Sequence, residues 1–97
     1  MIKTFKCRET EKIWNGEFSK KFPAELQTRD NSIIKRKLLL LDAAESLNDL
    51  RSPPGNNLEA LKGDRQGQYS IRVNQKYRLC FRFMDGGCFY VELIDYH

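Results

Sequence analysis

Strict alternation of apolar and polar positions marks the second half of the chain. In QYSIRV, Tyr69, Ile71 and Val73 fall on one side, and Ser70 and Arg72 on the other. In YRLCFRF, Tyr77, Leu79, Phe81 and Phe83 oppose Arg78, Cys80 and Arg82. In CFYVELI, Phe89, Val91 and Leu93 oppose Tyr90, Glu92 and Ile94. A side-chain period of two belongs to half-buried strands, so the pattern predicts antiparallel strands with one apolar face and one polar, basic face. NLEAL predicts a further short strand, and LKGDRQG a polar loop between two glycines. The opening MIKTFKC has β-formers separated by lysines and predicts an edge strand, although Ile2 and Phe5 would face opposite ways.

The first half carries the helical period. ETEKIWNG predicts a short helix with Glu9 and Glu11 in its first turn and Asn15-Gly16 as its stop; Ile13, Trp14 and Phe18 form its apolar patch. Pro23 suits the first position of a second helix. Over residues 23–47, Leu26, Ile33, Ile34, Leu38, Leu40, Leu41, Ala44 and Leu47 share one broad face, with Arg29, Lys35 and Arg36 outside it and Lys37 snorkelling from within it. Unbroken, that helix would be roughly 37 Å long; RDNS is the place for a kink or interruption, and RSPPGNN cannot continue it. Together these elements predict an α+β fold over residues 1–97 as one domain, two N-terminal helices packed on one face of a mostly antiparallel sheet of four to five strands.

The hairpins give a register. NQK as a three-residue loop pairs Ile71 with Leu79 and sets Arg72 opposite Arg78, an unfavourable like-charge pair that an anion between them would offset. DGG as the next loop pairs Phe83 with Phe89, Phe81 with Val91 and Leu79 with Leu93, and sets Arg82 opposite Tyr90. Asp95, Tyr96 and His97 then emerge just past Arg78.

Charge refines this picture only moderately. The net charge is +4 and hydrophobic residues make up 40%, which suits a globular protein and permits an anionic partner without demanding one. No apolar run is long enough to cross a bilayer, and the start lacks the apolar stretch of a signal peptide, so a cytoplasmic location without membrane attachment is expected. Cys7, Cys80 and Cys88 are odd in number and widely spaced, which matches neither a disulfide framework nor a short-loop zinc site.

The chemistry available is narrow. Arg72, Arg78, Lys62 and Arg65 bind phosphate well but are no bases near neutral pH, and Lys76 and Arg82 add to the same cationic face. His97, the only histidine, can give or take a proton there; Asp95 could orient it or act as a base, and Tyr96 can stack on a nucleobase or bond a phosphate. Each also has a plainer reading as an exposed terminal residue or a solvated surface charge. Cations beside proton carriers, without a metal or other cofactor, suit cleavage of RNA by its own 2′-hydroxyl.

LKGDR-G, SI-V---RL-F-F and the terminal DYH, in that order, resemble the HigB toxins, a branch of the RelE superfamily of ribosome-dependent mRNA interferases. The resemblance spans the chain. It implies a small α/β fold like that of microbial ribonucleases, and cleavage of mRNA in the ribosomal A site with a 2′,3′-cyclic phosphate as first product. By that resemblance Lys62 contacts the phosphate, Arg78 stabilises developing charge, and Asp95, Tyr96 and His97 form the terminal catalytic run, His97 carrying the proton. Relatives have a histidine ahead of PLKGDR, where this chain has Glu59 followed by Ala60, which leaves the division of acid and base between Glu59 and His97 open. It further implies a HigA-like helix-turn-helix antitoxin, with operator DNA reached only through that antitoxin. ParE toxins share the superfamily fold yet act on gyrase by binding, and a simple RNA-binding module would show the same basic face; the DYH end and Lys62 favour the nuclease.

Overall fold

The computed structural model describes residues 1–28 and 32–95; Arg29, Tyr96 and His97, singled out above, lie outside that range. Helix α1 spans Arg8–Trp14, helix α2 spans Ile33–Ala43, and four strands follow: β1 Glu59–Ala60, β2 Tyr69–Arg72, β3 Tyr77–Met84 and β4 Gly87–Asp95. The strands form one antiparallel meander in the order β1-β2-β3-β4. Both helices contact β4 and each other.

The long helix expected over residues 23–47 is broken. Ala24–Leu26 forms only a 3-10 turn, and α2 starts afresh at Ser32, whose hydroxyl accepts from Lys35 N at 3.3 Å. A serine that caps a new helix competes with continuation of an old one. Helix α2 then buries Ile34, Leu38 and Leu41 against Ile71, Leu79, Phe81 and Val91 of the sheet. Leu39, which the apolar face left out, is exposed. Lys37 is half-buried and donates to Asn56 Oδ1 at 2.6 Å, and burial, then Arg36, holds its ammonium below the usual lysine range. Phe18, assigned to the α1 patch, is instead exposed; Ile13 is buried and Trp14 half-buried beneath the ammonium of Lys35, 4.8 Å from the ring centre.

The first hairpin follows the expected register: Ile71 pairs with Leu79 and Arg72 with Arg78. Asn74 organises its turn, accepting at Oδ1 from Lys76 N and Tyr77 N at 2.9 and 2.8 Å.

The second hairpin corrects the expectation. Its loop is the two-residue Asp85-Gly86, both at positive φ, closed by the Met84–Gly87 pair. That is the turn whose twist suits two antiparallel strands. Phe83 therefore meets Cys88, and Arg82 meets Phe89 rather than Tyr90. One extra residue in β4 restores the Leu79–Leu93 and Arg78–Ile94 pairs further along. Tyr90 stands at this bulge with φ +55, a left-handed conformation that costs a non-glycine residue on the order of 1–3 kcal/mol.

The bulge also answers the imperfect start of the chain. Residues 2–5 run parallel beside β4 through Ile2–Cys88 and Phe5–Val91 bridges. Cys88 and Val91 are three residues apart across the bulge, as are Ile2 and Phe5, so both apolar pairs reach the core. Thr4 fits the irregularity from its side: its hydroxyl accepts from Tyr90 N at 2.8 Å and its carbonyl from Val91 N at 3.1 Å.

Candidate active site

The register carries two rows across the sheet face turned away from the helices. One row is Glu59, Ser70, Cys80 and Glu92; the next holds Arg72, Arg78 and Ile94. This face is not simply open to solvent. Ser70 and Cys80 are fully buried, and Leu61 is buried apart from the main core. The loop after β1 reaches over toward β4, where Arg65 Nη1 lies 3.1 Å from Glu92 Oε2 and donates to Gln68 Oε1 at 3.1 Å. Lys6 approaches the same carboxylate at 3.5 Å.

Burial pushes the Cys80 thiol up to about 11; Glu92 adds to the rise, while Arg65, Arg78 and Lys6 oppose it. A thiol held neutral is neither a nucleophile nor a metal ligand near pH 7.

Arg78 is the centre of the site. Only 8% of it is exposed. Its Nε donates to Ser70 Oγ at 2.8 Å, and Nη2 donates to the Asn57 carbonyl and, at 3.4 Å, to the Ser70 carbonyl. Nη2 is also 3.9 Å from Glu59 Oε1, and the Glu59 side chain is half exposed. A guanidinium is stable in so dry a place because its fork of donors meets oxygen on several sides. Arg72 turns the other way and donates from Nε to the Asn74 carbonyl at 3.2 Å. The chain's own carbonyls thus relieve the Arg72–Arg78 pairing that a bound anion was expected to offset.

The loop that supplies the Asn57 carbonyl is itself fixed. Buried Asn56 donates from Nδ2 to the Leu50 and Ser52 carbonyls at 3.1 and 3.2 Å and accepts from Lys37. Asn57 follows at φ +44, a conformation asparagine tolerates better than most residues.

The structure thus brings Arg78 and Glu59 together; the other candidates among the described residues lie elsewhere on the sheet and its loops, and Tyr96 and His97 lie outside the described residues. Lys62 is exposed at the start of the turn Gly63–Arg65. Arg82 lies against Gly67, close enough that an added Cβ there would sit 2.6 Å from its Nη1. Lys76 lies 3.6 Å from Asp95 Oδ2 and over the Tyr77 ring. Asp95 pairs with Tyr77, so strand alternation directs it to the other side of the sheet from Arg78. Sequence reasoning missed Ser70, Asn56 and the Asn57 carbonyl as braces for Arg78, and it put Phe89 on the apolar face. The Asp-Gly dipeptide was the available signal for the tighter turn that moves Phe89 across.

Comparison with known proteins gives this arrangement a family. Residues 4–97 match the family described as the RelE-like toxin of type II toxin–antitoxin system HigB. The Proteus vulgaris protein named Endoribonuclease HigB is 31% identical over 97 residues, covering 100% of each chain. Toxin HigB-1 of Vibrio cholerae is 57% identical over 51 residues, 53% of this chain and 54% of that one. An uncharacterized Haemophilus influenzae protein is 43% identical over 68 residues, with 70% and 63% covered. The match thus spans about half of the Vibrio relative and under two thirds of the Haemophilus one. YafQ from E. coli superposes with a TM-score of 0.62 over 98% of this chain and 93% of its own at 15% identity, which is a likeness of fold. The chain belongs to the HigB-like branch of RelE-like toxins of type II toxin–antitoxin systems.

Proposed function

We propose that the chain is an endoribonuclease that cuts mRNA in the ribosomal A site and so halts translation. The observation that carries this reading is the buried Arg78, braced by Ser70 and the Asn57 carbonyl, with the Glu59 carboxylate 3.9 Å away at the surface. A fixed cation beside a carboxylate suits a reaction whose nucleophile is already in the substrate. In it the 2′-oxygen forms a bond to phosphorus as the bond to the 5′-oxygen breaks. One group takes the 2′-hydroxyl proton and another protonates the departing oxygen, leaving a 2′,3′-cyclic phosphate and a 5′-hydroxyl end. Glu59 serves as the base and His97 as the proton donor; Asp95, on the other side of the sheet from Arg78, is left out of the proton transfer. Arg78 neutralises the charge that builds on the phosphoryl oxygens, with Lys62 on the phosphate and Tyr96 on the base or phosphate. Arg65, Arg72, Lys76 and Arg82 supply the surrounding cationic field. The antitoxin in this reading is HigA-like, and operator DNA is met only through it.

The test is to add the purified protein to a translating extract and map mRNA 5′ ends. Codon-phased cuts are expected. They should vanish in His97→Ala, and Arg78→Ala should lose at least about 2 kcal/mol of transition-state stabilisation, roughly a thirtyfold drop in rate. Intact mRNA with altered DNA supercoiling would instead point to gyrase, and an Arg78→Ala variant of full activity would remove that residue from the reaction.

A further inference from the structure

Tyr90 is an aromatic residue in a backbone conformation that suits glycine, and 51% of it is exposed. Its bulge has a structural use, since it keeps Ile2 and Phe5 in step with Cys88 and Val91. That use needs only the backbone: the bond to Thr4 is made by the Tyr90 amide, which glycine also has. The ring contributes little burial in return for the strain. What it does is lie beside Phe89, with centroids 6.4 Å apart and planes inclined by 49°. Phe89 in turn pairs with Arg82, so the bulge moves an aromatic side chain onto the same sheet face as Arg78. Arg82 is itself laid against Gly67 of the overlying loop. Aromatic faces next to a guanidinium are how proteins hold unpaired bases without reading their sequence edges.

We propose that Tyr90, with Phe89 and Arg82, is a stacking subsite for an unpaired nucleobase flanking the nucleotide held at Arg78. It rests on the nuclease reading above. Arg78 and Arg82 are four residues apart on β3, about 13 Å at the usual strand rise, more than one nucleotide along the message. The subsite takes either purine or pyrimidine, since every base has a face to stack, and purines most strongly.

The experiment uses a programmed ribosome whose message carries a 2′-O-methyl group at the scissile nucleotide and the fluorescent base 2-aminopurine at one neighbouring position at a time. The wild-type protein and Tyr90→Phe should quench the probe at one flanking position. Tyr90→Gly should abolish that quench and bind roughly tenfold more weakly, while melting at the same temperature as wild type or higher, because glycine relieves the strain. An undiminished quench in Tyr90→Gly overturns the subsite, and so does a lost quench accompanied by lower melting temperature, which makes the ring structural. Cleavage of unblocked message by wild type without any position-specific quench overturns the subsite and leaves the nuclease reading intact. Absence of all cleavage by wild type overturns that reading first. If Tyr90→Gly stacks and cuts normally but loses affinity for the antitoxin, the patch is a protein contact and the subsite is overturned.

Discussion

At the scale of single residues, the site depends on polar groups that periodicity does not flag. Ser70 reads as the polar partner in an alternating strand, and its hydroxyl turns out to hold a buried guanidinium. Asn56 and Asn57 lie in a stretch that announces only a chain break. Arg78 itself stood out because its type and its strand position both suit an anion, and the structure shows it buried and braced. Thr10 illustrates the hidden class. It was unremarkable inside a predicted helix, yet it is fully buried and its hydroxyl accepts from Leu93 N at 2.9 Å, joining α1 to β4. Thr10→Val keeps the shape and removes the acceptor, leaving a strand amide unpaired in the core. The expected loss is about 1–3 kcal/mol, read as a lower urea midpoint at unchanged slope; a midpoint equal to wild type would mean that the Leu93 amide finds water.

At the scale of elements, the strands expected after residue 57 are present, that of NLEAL cut to Glu59–Ala60, while the opening MIKTFKC makes only isolated bridges to β4 in place of a strand; the other errors are of count. A two-residue turn in place of three moved the second hairpin by one residue, and the bulge moved it back. Alternation is visible in a sequence, but an inserted residue that resets it is not, unless the partner strand shows the matching slip. Here it did, in the three-residue spacing of Ile2 and Phe5. The helical half is divided, as RDNS allowed: Ala24–Leu26 is only a 3-10 turn, and the helix capped by Ser32 ends at Ala43, short of the expected Leu47.

Strands β3 and β4 also carry a pH-dependent term. Burial pushes the thiols of Cys80 on β3 and Cys88 on β4 each up to about 11 from an ordinary 9.0. Between those values the unfolded chain has lost protons that the folded chain keeps. Stability from this source is therefore complete below 9.0 and is lost as pH rises toward 11. The urea midpoint should hold steady from about pH 7 to about pH 8.5 and then fall. The Cys80→Ala, Cys88→Ala double variant should fall less over the same interval; an equal fall would assign the loss to other groups.

At the scale of the whole molecule, charge separates from its apparent reach. The net charge of +4 counts cations that the fold already engages: Arg65 with Glu92, Lys76 with Asp95, Lys12 with Glu9. Ribosome binding should weaken with salt along a straight line in a log–log plot, and Lys62→Gln should lower the slope by about 1 as one phosphate contact is lost. Arg65→Gln should change the slope less, because Glu92 already offsets that cation. Binding that ignores salt would exclude a phosphate-led interface.

The segment from Leu50 to Asn57 works at this scale too. Its asparagine pair faces two ways: one member takes hold of Lys37 on α2, and the next offers its carbonyl to Arg78. The Arg78 guanidinium is therefore moored, by a handful of atoms, to a helix on the far side of the sheet. Under the proposed reading, a ligand that drew Lys37 away from Asn56 would loosen the brace on Arg78 as well, so one short loop ties the two faces of the sheet together.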